Sequence, residues 1–425
     1  MSISLDSEVA RAAIAKRDLV VDLARVACVL LVVVIHRLMI GVGIGADGAI
    51  IASRPLEAQP WFAAATWAGQ IMPLFFALGG FTALTAWRSL ERRGGDQVDF
   101  VRGRVLRLAR PALPLFIFFS VTLGAATLAG VDAALLDTVA TGVGSPLWFL
   151  GAFLLAQSFA PLMVRLHEIA PARTMLVLFA GAVVVDAARI ATGITEIGLA
   201  NLVFVWFFVQ QLGFWYSDGW FRARHPAQLV GLVVLAYAVL GGLVAAGWYS
   251  PDMLVNLNPP TVPLILLGIA QVSLLTLVHR PLAALMRGKR MQASVFFLGA
   301  RAMTIYLWHL PVIVAVAGIA LLVPPLSPPP GSAVWWMSRL IVFVVVLALA
   351  LLVSMPLARF ETASTAIPEG FRRPGAASTW VAAALTVFPA FAVMQYFLDL
   401  PLALAGVVSL AIALWLLRSR RPRNA

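Results

Sequence analysis

The chain has 425 residues, of which 61% are hydrophobic and only 12% charged, and its mean hydropathy is +0.94. A soluble domain has roughly half of its residues apolar and about a quarter charged, so this composition excludes a soluble protein. The net charge of +12 would suit a nucleic-acid partner, but most of the 31 Lys and Arg lie between apolar runs. Their distribution is typical of cytoplasmic membrane loops, and we expect no nucleic-acid partner.

Apolar runs that are too long for core strands predict about twelve transmembrane helices. Their approximate limits are 19 to 40, 61 to 87, 111 to 130, 146 to 166, 174 to 191, 199 to 218, 227 to 248, 261 to 279, 296 to 322, 334 to 358, 379 to 398 and 401 to 417. Basic residues occupy the tails and every second loop, whereas three intervening loops, "GVDAALLDT", "YSPDMLVNLNPP" and "VPPLSPPPGS", contain none. We therefore predict an all-α polytopic transmembrane helical bundle in the cell membrane, with both termini cytoplasmic.

The first predicted helix carries ionisable residues at both ends of the run "RVACVLLVVVIH". A helix advances by about 100° and 1.5 Å per residue, so Arg25 and His36 share one face and lie about 16 Å apart along the axis. Asp22 can reach Arg25 as an i, i+3 ion pair. Arg25 could simply extend to the headgroups, with His36 as an interfacial residue. In a functional interpretation, Arg25 binds an anionic group and His36 removes a proton from a hydroxyl.

The stretch "RDLVVDLARVACVLLVVVIH" resembles the opening helix of the acyltransferase-3 family, in which Arg and His are separated by ten residues. These integral-membrane enzymes typically O-acylate sugars and other hydroxyl compounds. Other similar stretches follow in the family's order: "MPLFFALGGF", "RGRVLRLARP", "PLWFL", "NLNPPT" and "MTIYLWHLP". The resemblance covers about residues 18 to 360. It departs at Gly79, where the family usually has Ser, but Gly80 still allows close approach of another backbone.

The resemblance implies about ten core helices, with an additional C-terminal helical hairpin in some members. We therefore divide the chain into a cytoplasmic tail (1–18), a transmembrane acyltransferase core (19–360) and a C-terminal hairpin with a basic tail (374–425). The implied activity is O-acyl transfer, by default of acetyl, from cytoplasmic acyl-CoA to a carbohydrate or a glycosylated or lipid-linked acceptor. The alternative is a proton-coupled secondary transporter or flippase, because twelve spans with intramembrane Asp, Arg and His also suit a carrier.

Residues for the donor come from two places in the sequence. His36 is the expected general base, with Arg25 and Asp22 completing the catalytic set. Three arginines recur every three residues before Pro111, on one side of a short helical segment that leads into the third span; they are Arg104, Arg107 and Arg110. Their guanidinium groups can bind the phosphates of CoA, or they are ordinary cytoplasmic loop charge.

Residues for the acceptor are expected in later spans. His309 in "YLWH" is either a core histidine or a residue that orients the acceptor or supports His36, and Tyr306 is assigned to the acceptor with it. Trp148 is expected to stack on the acceptor or to belong to an aromatic belt. Gln211 is a buried amide that needs a partner from a helix or a substrate, and Asn258 lines the acceptor opening or shapes a turn.

The remaining histidines, His167, His225 and His279, lie at predicted helix ends and are interpreted as interfacial. No pair of histidines or carboxylates has metal-ligand spacing, so we predict no metal site. We also expect no tightly bound cofactor, because acyl-CoA enters as a donor substrate. The expected partners are acyl-CoA, the carbohydrate acceptor and the lipid bilayer.

Overall fold

The computed structural model describes residues 17–44, 48, 50–144, 147–367 and 370–419. The predicted cytoplasmic tail lies outside these residues except for residues 17 and 18, and so does the end of the basic C-terminal tail.

Within the described residues the chain is almost entirely helical. The helices are α1 Leu19–Met39, α2 Phe62–Gly69, α3 Met72–Glu91, α4 Gln97–Leu128, α5 Ala133–Gly144, α6 Leu147–Ser158, α7 Ala160–Ile169, α8 Pro171–Thr192, α9 Asn201–Ser217, α10 Pro226–Ala245, α11 Val262–Leu277, α12 His279–Leu285, α13 Lys289–Gly299, α14 Ala302–Leu321, α15 Ala333–Thr362, α16 Ala376–Tyr396 and α17 Leu400–Leu416. Short 3-10 turns occupy Thr195–Ala200 and Pro324–Leu326. Strands β1 Gly41–Ile44 and β2 Ile50–Ser53 form an antiparallel hairpin directly after α1.

In the described part of the chain, ten helical segments are long and apolar enough to cross a membrane. The bent pair α11 and α12, whose axes differ by 58°, brings the number to 11 if it is one span, and α17 is a shorter apolar helix. The chain is therefore a multi-pass membrane protein with an all-α fold, as its composition predicts. About twelve spans were expected; the eighth corresponds to the bent pair and the twelfth to the short helix α17.

Two predicted segments are organised differently in the structure. The candidate span around the predicted fourth helix runs over Ala133–Ser158, so "GVDAALLDT" contributes to a helix and the prediction of a loop there is wrong. Its alanines, leucines and valine outweigh the two aspartates that suggested a loop. The arginines before Pro111 lie within the single 32-residue helix α4 rather than on a short separate segment.

Capping residues explain where several helices begin. Asp96 caps α4, and its side chain accepts hydrogen bonds from the backbone N–H groups of Val98 and Asp99. Ser332 similarly caps α15, and Asp399 caps α17. Each side-chain oxygen satisfies backbone donors that have no partner within the helix.

The chain divides into two compact units that are not continuous in sequence. The first unit comprises Met1–Leu31, Ala63–Thr82 and Leu166–Ala302, and the second comprises Val32–Phe62, Ala83–Arg165 and Met303–Ala425. Helix α1 begins in the first unit and ends in the second.

In the first unit, α3 and α9 approach each other at glycines. Gly80 faces the carbonyl of Gln210 and Gly213 faces the carbonyl of Ala77, and a side chain at either position would overlap these backbone atoms. Phe76 stacks on Trp206 beside them, with ring centroids 4.0 Å apart. The close approach expected at Gly80 is confirmed.

A buried carboxylate connects several other segments of the first unit. Asp186 in α8 accepts hydrogen bonds from the amide of Asn201, from the hydroxyl of Tyr249 and from the backbone N–H of Val262. Arg189 lies 3.8 Å from the same carboxylate. Burial, together with the charge of Asp186, raises the pKa of the Tyr249 hydroxyl, so this hydroxyl remains a donor.

In the second unit, the C-terminal hairpin of α16 and α17 packs on α4 and α6. Gly406 of α17 fits against the ring of Phe116, and Gly151 of α6 lies against Ala390 of α16. The segment between α15 and α16 is held along α4 by hydrogen bonds and ion pairs. Arg102 donates to the carbonyls of Thr365 and Leu417, Arg110 donates to those of Ala363 and Ser364, and Arg373 pairs with Asp96 and Asp99.

The glycine contacts between α3 and α9 lead to a stability prediction. We expect Gly80→Ala and Gly213→Ala to lower the free energy of unfolding by about 2 kcal/mol or more, because a carbonyl of the facing helix backbone occupies the space of the new methyl group. Gly241→Ala in α10 is the matched control, because its added carbon meets open space. Alanine is more favourable than glycine inside a helix by up to about 1 kcal/mol, so this variant should not be destabilised. Thermal unfolding in detergent measures the difference, and equal midpoints for all three variants would contradict the expectation.

Candidate active site

Two histidines of the second unit meet inside the helical bundle. The Nδ1 atom of His36, in α1, lies 2.7 Å from the Nε2 atom of His309, in α14. The two rings are stacked, with centroids 5.0 Å apart and planes inclined by 18°. His309 is 1% exposed, whereas His36 is only partly buried. His309 is therefore a buried histidine bonded to a neighbouring helix, and its partner there is His36.

The hydrogen bonds of this pair determine where its protons lie when both rings are neutral. The Nδ1 atom of His309 bonds the backbone carbonyl of Tyr306, which can only accept, so this nitrogen carries a proton. The Nε2 atom of a neutral His309 is then an acceptor, and the proton between the rings belongs to Nδ1 of His36. The Nε2 atom of His36 consequently keeps its lone pair, as a general base requires.

A chain of aromatic rings leads away from His309 in the second unit. The centroid of the Tyr306 ring lies 5.7 Å from that of His309 and 4.9 Å from that of Phe149. Trp148 contacts Phe149 edge-on, with centroids 6.1 Å apart, and is 8% exposed. Of the predicted site residues, the structure thus brings His36, His309 and Tyr306 together, and Trp148 is connected to them only through Phe149.

The other two predicted catalytic residues belong to the first unit. Arg25 lies eleven residues before His36 on the continuous helix α1. Asp22 pairs with Arg17, a partner that was not expected. Both of its carboxylate oxygens accept hydrogen bonds from the Arg17 guanidinium, each at 2.9 Å. Its expected pairing with Arg25 stays a prediction.

The three arginines expected at the donor phosphates all project from α4. Arg107 is exposed, and the guanidinium of Arg104 lies over the ring of Phe100, 4.8 Å from the centroid. Arg110 is engaged by the backbone carbonyls of Ala363 and Ser364, at 3.0 and 2.9 Å. Arg107 is therefore the member whose exposure best suits it to a ligand.

Gln211 and Asn258 lie in the first unit. The Oε1 atom of the buried Gln211 lies 2.9 Å from Nδ1 of His167, whose Nε2 lies 3.1 Å from the carboxylate of Asp218. The amide thus finds a helix partner. His167 is 6% exposed, and its ring nitrogens are satisfied by Gln211 and Asp218 rather than by solvent. Its interfacial depth stays a prediction. Asn258 is exposed and precedes Pro259 through a cis peptide bond.

Sequence reasoning did not single out Glu361, which lies near the end of α15 in the second unit. Its carboxylate accepts hydrogen bonds from the backbone N–H groups of Met303 and Thr304 and from the Thr304 hydroxyl, at 2.6 to 3.1 Å. It therefore caps the start of α14, the helix that carries His309. A lone carboxylate directly after a long apolar run was the available signal.

The described residues contain no group of three or more His, Cys, Asp or Glu side chains that could hold a metal ion. The second unit offers a hydrogen-bonded pair of histidines beside the ring of Tyr306. These groups suit proton transfer to or from a hydroxyl.

Comparison with known proteins identifies the family to which this geometry belongs. The family model described as an acyltransferase domain, that of the acyltransferase-3 family, matches residues 18–359. No curated protein and no solved structure matches the chain at a significant level. The matched residues include α1 with Arg25 and His36, and α14 with His309, so the chain belongs to the acyltransferase-3 family.

Proposed function

We propose that this membrane acyltransferase moves an acyl group from acyl-CoA to a hydroxyl of a carbohydrate or a glycosylated or lipid-linked acceptor, with His36 as the general base. The observation that carries the proposal is the order of hydrogen bonds from His36 through His309 to the Tyr306 carbonyl. This order leaves the Nε2 lone pair of His36 available, and His36 is the more exposed member of the pair.

The reaction follows from that lone pair. Nε2 of His36 takes the proton of the acceptor hydroxyl while the oxygen attacks the thioester carbonyl carbon. The tetrahedral intermediate then breaks its C–S bond, and the CoA thiolate takes the proton from His36. The products are the ester and free CoA, and His36 returns to its neutral state.

His309 acts as a positioning residue in this scheme. Its Nε2 atom holds Nδ1–H of His36, which keeps the reactive nitrogen in the correct tautomer. When His36 gains a proton, the same hydrogen bond becomes charge-assisted and stabilises the imidazolium. An acceptor that holds one ring N–H of a histidine fixes both the tautomer and the orientation of the ring.

The donor proposal rests on spacing and on charge. Arg25 lies about 16 Å from His36 along α1, a distance that an extended pantetheine arm can cover. Arg104 and Arg107 supply guanidinium groups for the nucleotide phosphates. The acyl group is by default acetyl, and the aromatic wall of Tyr306 and Trp148 provides apolar faces on which a sugar ring can stack.

Replacement of His36 tests the base directly. We expect His36→Ala to lower kcat by at least about 100-fold, because general-base catalysis usually contributes 10² to 10⁴. Transfer of radiolabelled acetyl from acetyl-CoA to extracted lipid or glycan in membranes measures it. His225→Ala is the control, since His225 is exposed at the start of α10. Full transfer by a well-inserted His36→Ala variant would exclude this residue as the base.

Replacement of His309 separates positioning from substrate binding. We expect His309→Phe, which has no acceptor, to lower kcat at least about tenfold with little change in KM for acetyl-CoA. His309→Gln keeps an acceptor oxygen and should recover part of the lost kcat. A rise in KM alone, or equal kcat for both variants, would contradict the positioning role.

The arginines of α4 are tested with two donors. We expect Arg104→Ala with Arg107→Ala to raise KM for acetyl-CoA about tenfold or more, because hydrogen bonds to charged groups contribute about 1.5 to 3 kcal/mol. Acetyl-pantetheine lacks the nucleotide phosphates, so its KM should not change. Arg173→Ala, at an exposed position in α8, is the control. Equal effects on both donors would refute phosphate binding by this pair.

A further inference from the structure

Two buried arginines in the second unit have no role in the reaction described above. Arg37 directly follows His36 in α1 and is 6% exposed, and Arg339 lies near the start of α15 and is 7% exposed. Among the described residues, neither guanidinium has a carboxylate within ion-pair distance. An unpaired charge in a protein interior is destabilising, so two such charges call for a counter-anion.

The donors of Arg37 are largely uncommitted. One terminal nitrogen donates to the carbonyl of Ile40 at 3.1 Å, at the end of α1. Its Nε atom is buried and has no hydrogen-bond partner. A buried N–H without an acceptor costs about 1 to 3 kcal/mol or more, and a bound anion would remove this cost.

Arg339 is fixed against its own helix. Its Nε donates to the carbonyl of Trp335 and a terminal nitrogen donates to the hydroxyl of Ser338, both at 2.7 Å. The guanidinium carbon lies 4.0 Å from the centroid of the Trp335 ring. These contacts immobilise the side chain before a ligand binds, and its other N–H groups have no acceptor among the described residues.

A contact in the second unit joins the segments that carry the two arginines. The backbone of β1, which follows Arg37, packs against Pro330, which precedes α15: a carbon added at Gly43 would lie 2.8 Å from the Pro330 ring. Arg37 lies six residues before Gly43 and Arg339 lies nine residues after Pro330. The backbone of each arginine is therefore within about 15 Å of this contact. Arg339 is also within electrostatic range of Arg37.

We propose that Arg37 and Arg339 together bind an oxyanion, a phosphate or a carboxylate, that is carried by the acyl acceptor. Two planar guanidinium groups match the oxygens of such a group and share its negative charge. Because Arg37 follows His36 directly, an anion bound at Arg37 would lie at nearly the same depth along α1 as His36, on a face about 100° away. The substrate class is therefore a phosphorylated or acidic sugar rather than a neutral one, an assignment that rests on the function proposed above.

The test measures binding without catalysis. The full chain, purified in detergent without added lipid, is unfolded by heat with glucose, glucose 1-phosphate, glucuronate or inorganic phosphate at equal ionic strength. We expect glucose 1-phosphate and inorganic phosphate to raise the midpoint by at least about 2 °C, and glucose to leave it unchanged. The absence of any anion-dependent rise in the unaltered chain would overturn the proposal.

Variants assign the response to the two arginines. We expect Arg37→Gln and Arg339→Gln to lose the anion-dependent rise, whereas Arg54→Gln keeps it, because Arg54 is exposed and paired with Glu57. An undiminished rise in both buried-site variants would overturn the assignment. If a glutamine variant does not fold, Arg37→Lys and Arg339→Lys keep the charge without the planar fork and should reduce the response.

A lipid headgroup could supply the same oxyanion chemistry. The midpoint is therefore also measured in phosphatidylcholine nanodiscs with and without phosphatidylglycerol. A rise that depends on phosphatidylglycerol and Arg37, with no response to the soluble anions, would identify a lipid and overturn the acceptor assignment. The outcome is independent of the His36→Ala assay, since anion binding can persist when the proposed base is wrong and can be absent when it is right.

Discussion

The hydrogen bond between His36 and His309 is the interaction on which the rest of the site depends. It joins α1 to α14 inside the bundle and leaves one nitrogen of His36 unprotonated. A hydrogen bond in a low-dielectric interior is stronger than one in water, and an unpaired polar group there is correspondingly more costly.

Helix α1 contributes a second constraint, which comes from its backbone. Arg25 and His36 are carried by one uninterrupted helix, so their separation follows from helix geometry and not from the packing of other elements. Glu361 fixes the start of α14, the helix that carries His309. Its carboxylate accepts hydrogen bonds from backbone N–H groups in the first turn of that helix. His36 and His309 are thus each held by a regular helix with a defined start.

Much of this arrangement could be predicted from the sequence, because apolar length and local spacing are local properties. The apolar runs predict the helices, and the spacing of Arg25 and His36 identifies the helix that carries the base. Contacts between distant segments could not be predicted in the same way. The Gln211 to His167 bond and the capping of α14 by Glu361 join residues far apart in the chain, and no periodicity in a single helix encodes such a pairing. Ala133–Gly144 was misread because two aspartates outweighed an otherwise apolar helix.

The packing of the C-terminal hairpin bears on where this protein can be divided. The family match ends at residue 359, yet Phe116, Arg102 and Arg110 all make contacts with residues beyond that point. A chain cut at the end of the match would expose one side of α4 to lipid and leave two guanidinium groups without their carbonyls. Reporter fusions used to map topology should accordingly join the chain after α17, since a junction at residue 360 would examine a protein stripped of part of its own core.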